Sequence, residues 1–306
     1  YIRSERGTQE RLEQMAAELG VNFAGVSSMP GTEALKMNDV RIGLWDRYGG
    51  SMPSGWVRWV FEQFEFPFDV VYPPRMDRGN LKRDYDVLLF PDGAIPSTVT
   101  QERSSRYSSR NLDPATIPQE YRERLGDVSA DVTVPQLREF LEDGGTIITI
   151  GSSANLATHM DLPIGNHMVD ASGQPLSREE YFIPGSILEA RVDNSNPIAY
   201  GLDEHTDMMF NRSPVLRLEA GAEAQGIRRL AWYDSDTTLR SGWAWGQEHT
   251  RNGLAAIEAD IGQGNLLIFL PEVMYRGQPH NTFKFVFNGI FLATAEEADA
   301  SDTMIP

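Results

Sequence analysis

Two stretches of this 306-residue chain carry residue types that could do chemistry. In residues 144–155 a β-branched run, Thr146 to Ile150, leads into the small residues Gly151, Ser152, Ser153 and Ala154, and a helical pattern follows. A buried strand, a tight turn and a helix opening at that turn make a nucleophile elbow: the turn presents one side chain, and the helix N-terminus faces an incoming anion. Ser152 and Ser153 compete for the exposed position. With Ser153 at its centre the segment partly matches Gly-x-Ser-x-Gly, Asn155 standing where the second glycine is usual. A serine nucleophile needs a general base titrating near neutrality. None of the five histidines (His159, His167, His205, His249 and His280) falls at the end of a predicted strand beyond the elbow. The plainer reading is that both serines cap the helix that follows.

The second stretch is the apolar run 265–272, which closes on Leu270-Pro271-Glu272. Arg276, Gln278 and His280 follow on a loop at the C-terminal end of a predicted sheet. Such a set can bind a carboxylate or a carbonyl, or simply cap the last helix and close the loop. His167 and Asp170 have a loose metal-ligand spacing that no other His or carboxylate pair supports. The chain has no cysteine. That excludes disulfides, thiolate metal sites and thiolate nucleophiles, and leaves the compartment open.

The elements that must position these residues follow from periodicity. Residues 8–20 read as a helix with Leu12, Met15, Ala16 and Leu19 at helical spacing, and residues 21–26 as a short strand. The main unit starts with a buried strand at 40–45. A helix capped by Ser51 or Ser54 follows, carrying Trp56, Trp59, Val60 and Phe64 on one face. Strands at 68–72 and 85–91 come next. Strand–helix alternation this tight argues for right-handed βαβ units and a parallel sheet. Residues 96–131 break the rhythm as an insertion, with Ser104, Ser105, Ser108 and Ser109 among Arg103, Arg106 and Arg110. A helix capped by Thr133 and stopped by Gly144 leads to the elbow strand. The second half is β-rich, with strands at 186–192, 215–218, 229–233, 254–260 and 266–269, and a final helix at 282–292. Trp45, Tyr48, Trp56 and Trp59 cluster around the first strand–helix turn, as core or as an interface.

Composition narrows the partners. A hydrophobic fraction of 41% and an aromatic fraction of 10% belong to a globular chain. The net charge of −17 leaves no basic surplus for phosphates, so nucleic acid and anionic membranes are disfavoured. No apolar run reaches about 20 residues, so no membrane span is expected. Tyr1 in place of an initiator Met suggests a fragment of a longer or processed chain.

The run 265–272 resembles the strand of class I glutamine amidotransferases that ends in His-Pro-Glu, and the resemblance places Leu270 at the base position and Glu272 at the acidic one. Neither the thiolate nor the base of that reaction is present. Several further segments resemble a second grouping: 41–44, 55–67, 85–91, 183–186, 196–201, 241–243 and 276–284, of which Gly55-Trp56-x-x-Trp59-x-x-Glu62-Gln63-Phe64 and Arg276-Gly277-Gln278-Pro279-His280 are the most specific. They resemble the C-terminal region of large bacterial zinc carboxypeptidase-like proteins, which carry an amidotransferase-like domain behind the peptidase domain. The resemblance covers about residues 40–293. It implies an upstream peptidase domain as partner in the same polypeptide, zinc in that domain and no cofactor in this one, and export to the periplasm or cell exterior.

The expected fold is therefore α/β, a flavodoxin-like doubly wound parallel sheet of the class I amidotransferase type with a β-rich second half. The expected organisation is an N-terminal segment at 1–37, the α/β domain at 38–295 with its 96–131 insertion, and an acidic tail at 296–306. The expected role is that of a non-catalytic accessory domain without bound metal. A serine hydrolase using Ser152 or Ser153, and a small-ligand or glycan-binding module using the Arg276 loop, are the alternatives.

Overall fold

A computed structural model describes residues 2–27, 34–97 and 112–297. Its elements begin with α1 (Thr8–Leu19), β1 (Leu35–Lys36), β2 (Ile42–Trp45), α2 (Met52–Gln63), β3 (Asp69–Val71), α3 (Pro73–Asp77) and β4 (Val87–Phe90). Then come α4 (Thr133–Glu142), β5 (Thr146–Ile150), α5 (Leu156–His159), β6 (Ile164–Asn166), β7 (Ser186–Val192) and β8 (His205–Phe210). The chain closes with β9 (Leu216–Leu218), β10 (Ile227–Trp232), β11 (Leu239–Ser241), β12 (Leu254–Ile261), β13 (Gly264–Phe269), α6 (Phe283–Leu292) and β14 (Glu296–Glu297). Contacts divide the chain into a unit of residues 39–293 and a smaller one made of residues 1–38 and those from 294 onward.

In the larger unit the strands β3-β2-β4-β5-β13 lie side by side, every neighbouring pair parallel. Numbered within that group, the order is 2-1-3-4-5, the flavodoxin-like doubly wound arrangement, as expected from the sequence. Alternate side chains feed two cores. Ile42, Leu44, Val87, Leu89, Ile148, Ile150, Leu267 and Phe269 pack with α2 and α6. Leu88, Phe90, Ile147, Leu266 and Ile268 pack with α3 and α4 on the other face. Burial on both faces explains the unbroken apolar runs of these strands. At the start of the sheet Arg41 donates two hydrogen bonds to Asp86 through its side chain, and together they hold the Asp86 carboxyl well below the usual carboxylate range.

At β13 the sheet changes character. β12 returns antiparallel along β13, and the antiparallel strands β10, β7 and β11 extend the sheet beyond it. This is the β-rich second half. Its long hairpin turns at Gly262, whose φ of +62° a residue with a side chain would adopt only under strain.

Some local expectations differ from the structure. The buried stripe of α2 is Ser54, Val57, Val60 and Phe61, while Trp59 and Phe64 are 45% and 52% exposed. The stripe rotates because the Ser54 hydroxyl donates to the Trp45 carbonyl at 2.8 Å, drawing that position towards the sheet. Ser51 does cap α2. Thr133 is not a cap: it is the first residue of α4, fully buried, and its hydroxyl donates to Asp77. Residues 21–26 form no strand, since no neighbouring strand supplies a ladder among the described residues. Of the 96–131 insertion, residues 112–131 hold the short 3₁₀ turns Pro114–Thr116 and Gln119–Arg124. The serine and arginine cluster at 103–110 lies outside the described residues.

In the smaller unit, α1 runs between Gly7 and Gly20, both left-handed, and buries none of its side chains. β1 and β14 pair antiparallel, so Glu296 and Glu297 of the acidic tail are held in a two-stranded ladder.

Candidate functional site

The C-terminal ends of β4, β5 and β13 converge, as strand ends do in open α/β sheets where ligands bind. Directly after β5, Gly151 takes φ +63° and opens a 3₁₀ turn that runs into the short α5. In a nucleophile elbow the strained position belongs to the nucleophile. Here it belongs to a residue without a side chain. A Cβ built on Gly151 would lie 2.6 Å from Asp92 Oδ1, so the Asp92 carboxylate occupies the space a nucleophile would need.

The two serines after it do neither of the things the sequence suggests. They make no side-chain cap to α5. The Ser152 hydroxyl donates to Asp92 at 2.6 Å, its amide donates to the same oxygen at 2.7 Å, and the hydroxyl accepts from the Gly93 amide. Ser153 is fully buried. Its hydroxyl donates to the Pro91 carbonyl at 2.5 Å and accepts from the amides of Ala94 and Ile95. Asn155 Nδ2 donates to the Ile95 carbonyl, and His159 Nε2 meets the Pro96 carbonyl oxygen at 2.8 Å. The turn after β5 is thus stitched along the loop after β4. The reason is local: among the described residues the Gly93 and Ile95 amides of that loop have no backbone acceptor, and buried amides need one. No histidine is among the hydrogen-bond partners of either serine.

Leu270 follows β13 fully buried, in the core shared with α3 and α4. Glu272, two residues on, turns to a cavity of about 190 Å³ that Asp92, Trp56, Asn211 and Arg276 also line. Glu272 is only 8% exposed, and its carboxyl makes no hydrogen bond among the described residues. Burial pushes it up to about 8, and the negative charge of Asp92 adds to the shift. At neutral pH this carboxyl is chiefly protonated and carries an O–H that no described residue accepts.

The Arg276 loop is divided. Arg276 is left-handed at φ +52°, its guanidinium 5.0 Å from the Tyr275 ring, and it lines the cavity. Gln278 and His280 are exposed outside the lining, and His280 stacks on Phe283 with ring centres 5.2 Å apart. The three therefore do not form one binding set. Gly277 is held against α2, where a Cβ would lie 2.5 Å from the Trp59 ring. Trp56 stands edge-on to Trp59 and is half-buried, while Trp45 is buried in the sheet.

The other histidines are apart. His167 meets the Arg251 carbonyl, and burial lowers its proton affinity. His205 meets Asp234. Among the described residues no group of three His, Asp or Glu side chains could hold a metal ion, so the residues present do not fit a zinc site.

Sequence reasoning missed Asp92, Asn211 and Trp56 as site residues. For Asp92 the available signal was Phe90-Pro91-Asp92-Gly93, a polar turn directly at the end of a buried strand. Asn211 gave no signal, because it arrives from the β-rich half.

No family model matches this sequence, and no curated protein matches it. Solved structures similar to it include one described as a GMP synthase component of Thermoplasma acidophilum, at 12% identity and TM-score 0.48, covering 84% of this chain and 94% of the other. A ThuA-like protein of Bacteroides uniformis matches at 9% identity and TM-score 0.46, over 88% of this chain and 97% of that one. A β-galactosidase of Bacillus circulans sp. alkalophilus matches at 12% identity and TM-score 0.44, over 83% of this chain, which spans only 30% of the length of that enzyme. At these identities the chain is similar to the three in fold.

Proposed function

We propose that this chain is a non-catalytic domain of the amidotransferase type, an accessory module whose cavity binds a small ligand. The observation that carries the reading is Gly151. The strained turn position has no side chain, and Asp92 fills the space beside it. Leu270 at the base position, and the absence of cysteine, speak the same way. The serine hydrolase reading is disfavoured because both hydroxyls are engaged by the loop after β4, Ser152 by the Asp92 carboxylate and Ser153 by the Pro91 carbonyl, and among the described residues neither meets a histidine. A fluorophosphonate probe and a glutaminase assay test the proposal. Neither serine should be labelled and no ammonia should be released from glutamine; a labelled Ser152 or Ser153 would overturn it.

The parent protein is proposed to be an exported zinc carboxypeptidase whose peptidase domain lies upstream. The support is the set of segments at 55–67, 183–186, 196–201 and 276–284. In the structure two of them meet: the Trp59 ring of the first packs on Gly277 of the last. The longer gene product should release C-terminal residues from peptides in a zinc-dependent way, and deletion of residues 39–293 should leave its metal binding intact. A longer product without metal-dependent peptidase activity would reject the parent assignment.

A further inference from the structure

The cavity at the ends of β4 and β13 holds an uncompensated pair of carboxyl groups. Among the described residues Asp92 accepts only from Ser152, through its amide and its hydroxyl, and the Glu272 carboxyl has no hydrogen-bond partner. A buried carboxyl left unpaired is costly, and a site that keeps one has a use for it when a ligand arrives. The cation already in the lining does not neutralise the pair. Arg276 lies over the Tyr275 ring and makes no ion pair among the described residues. Apart from Asn211 and Tyr275 the rest of the lining is apolar, with Met52, Val57, Ile150 and Met274 in the wall and Trp56 beside them. An indole in the wall favours a cation, and methionines adapt to a flexible aliphatic chain.

We propose that this cavity takes a primary alkylammonium group, with the nitrogen between Glu272 and Asp92 and the methylenes along Met52, Val57 and Met274. This deepens the reading of the cavity as a ligand site rather than a catalytic one, and rests on it. The volume of about 190 Å³ suits an aliphatic amine of four to six carbons or the end of a lysine side chain. Binding carries a proton balance. The Glu272 carboxyl loses its O–H proton to solvent as the ammonium arrives, and the ammonium keeps its three hydrogens. The other ionisable groups lining the cavity are Asp92, Arg276 and Tyr275; α2 and β5 contribute none.

Calorimetric titration of the whole chain with n-butylammonium chloride, in phosphate and in HEPES at neutral pH, tests this. The heats should differ between buffers by the ionisation of close to one proton per site. Affinity should rise nearly tenfold per pH unit as the pH climbs towards about 8 and level off above it, because Glu272 must ionise to pair. Glu272→Gln, shown to be folded by circular dichroism, should lose about tenfold or more in affinity and the proton release with it. N-acetyl-lysinamide separates the sources: if it binds as well as butylammonium, the occupant is a peptide lysine, and if only butylammonium binds, a free amine. Three results would each overturn the proposal: no heat at millimolar amine with folded protein, equal binding of butanol or butyrate, or unchanged affinity in Glu272→Gln. A serine labelled by the fluorophosphonate probe would instead defeat the non-catalytic reading, so the two failures are distinct.

Discussion

Asp92 and Glu272 line one cavity from the ends of β4 and β13, and the charge of the first helps to keep the proton on the second. In the His-Pro-Glu pattern that this segment resembles, a histidine stands two residues before the glutamate. Here that neighbour is Leu270, fully buried in the opposite core, and the acid is left facing the cavity.

The pair predicts a pH dependence of stability. The folded chain holds the Glu272 proton up to about pH 8, whereas a carboxyl in the unfolded chain releases it near its ordinary value of 4.5. The unfolded state therefore binds fewer protons in this window, and the Glu272 contribution to stability falls as pH rises from 4.5 to about 8. Glu272→Gln removes that fall. Urea unfolding should find it close to wild type near pH 5 and more stable by roughly 1–4 kcal/mol near pH 9. Parallel pH profiles for the two proteins would reject the raised proton affinity.

Gly151→Ala should be destabilising by about 2–4 kcal/mol, from a side chain forced into the left-handed region and from contact with Asp92. Asp92→Ala combined with it should relieve the contact but not the backbone strain. A double-mutant cycle read by urea unfolding should give a coupling of about 1 kcal/mol or more, and additive effects would place Asp92 elsewhere.

Ser153→Ala leaves the Ile95 amide without its partner, and the Pro91 carbonyl and Ala94 amide with only their bond to each other. The expected loss is about 2–4 kcal/mol, since buried polar groups would go unsatisfied. Ser152 is half-buried, and Ser152→Ala should cost about 1 kcal/mol. Urea titration of both variants checks this. A serine that mattered for chemistry rather than structure would show the opposite pattern, with stability unchanged.

Aromatic residues on α2 should differ among themselves. Phe61 is fully buried and packs against Phe66 and Phe68, so Phe61→Ala should cost about 3–5 kcal/mol. Trp56 is half-buried beside the cavity, and Trp56→Ala should cost about 1–2 kcal/mol. Equal losses in denaturant titrations would show that both belong to the core.

Much of the sheet was legible because its strands are buried on both faces. Runs such as Thr146 to Ile150 and Leu266 to Phe269 admit few other readings, and nearby glycines mark the turns. The α2 face was misread because Trp and Phe outweigh Ser in any apolar count, yet Ser54 is the residue that sits on the sheet. The segment 21–26 looked like a strand by composition, but a ladder is a property of two segments. At the site, Glu272 was visible as the end of a motif. Its dependence on Asp92 was not, because topology alone brings β4 and β13 to one rim. Which residue occupies the strained turn position was hidden too, since Gly151, Ser152 and Ser153 are all small and only the backbone angle separates them.

The parallel pairing of β13 with β5 also sets an order of events during synthesis. Strands β2, β3, β4 and β5 leave the ribosome first and can pair among themselves, but the free side of β5 must wait for residues 264–269. Throughout that interval a buried-type, β-branched edge is open to any passing strand, the kind of surface that nucleates aggregation in nascent chains. Chaperone demand for this chain is therefore concentrated in translation of the residues between β5 and β13, and slowing elongation there should lower the soluble yield more than slowing it anywhere earlier.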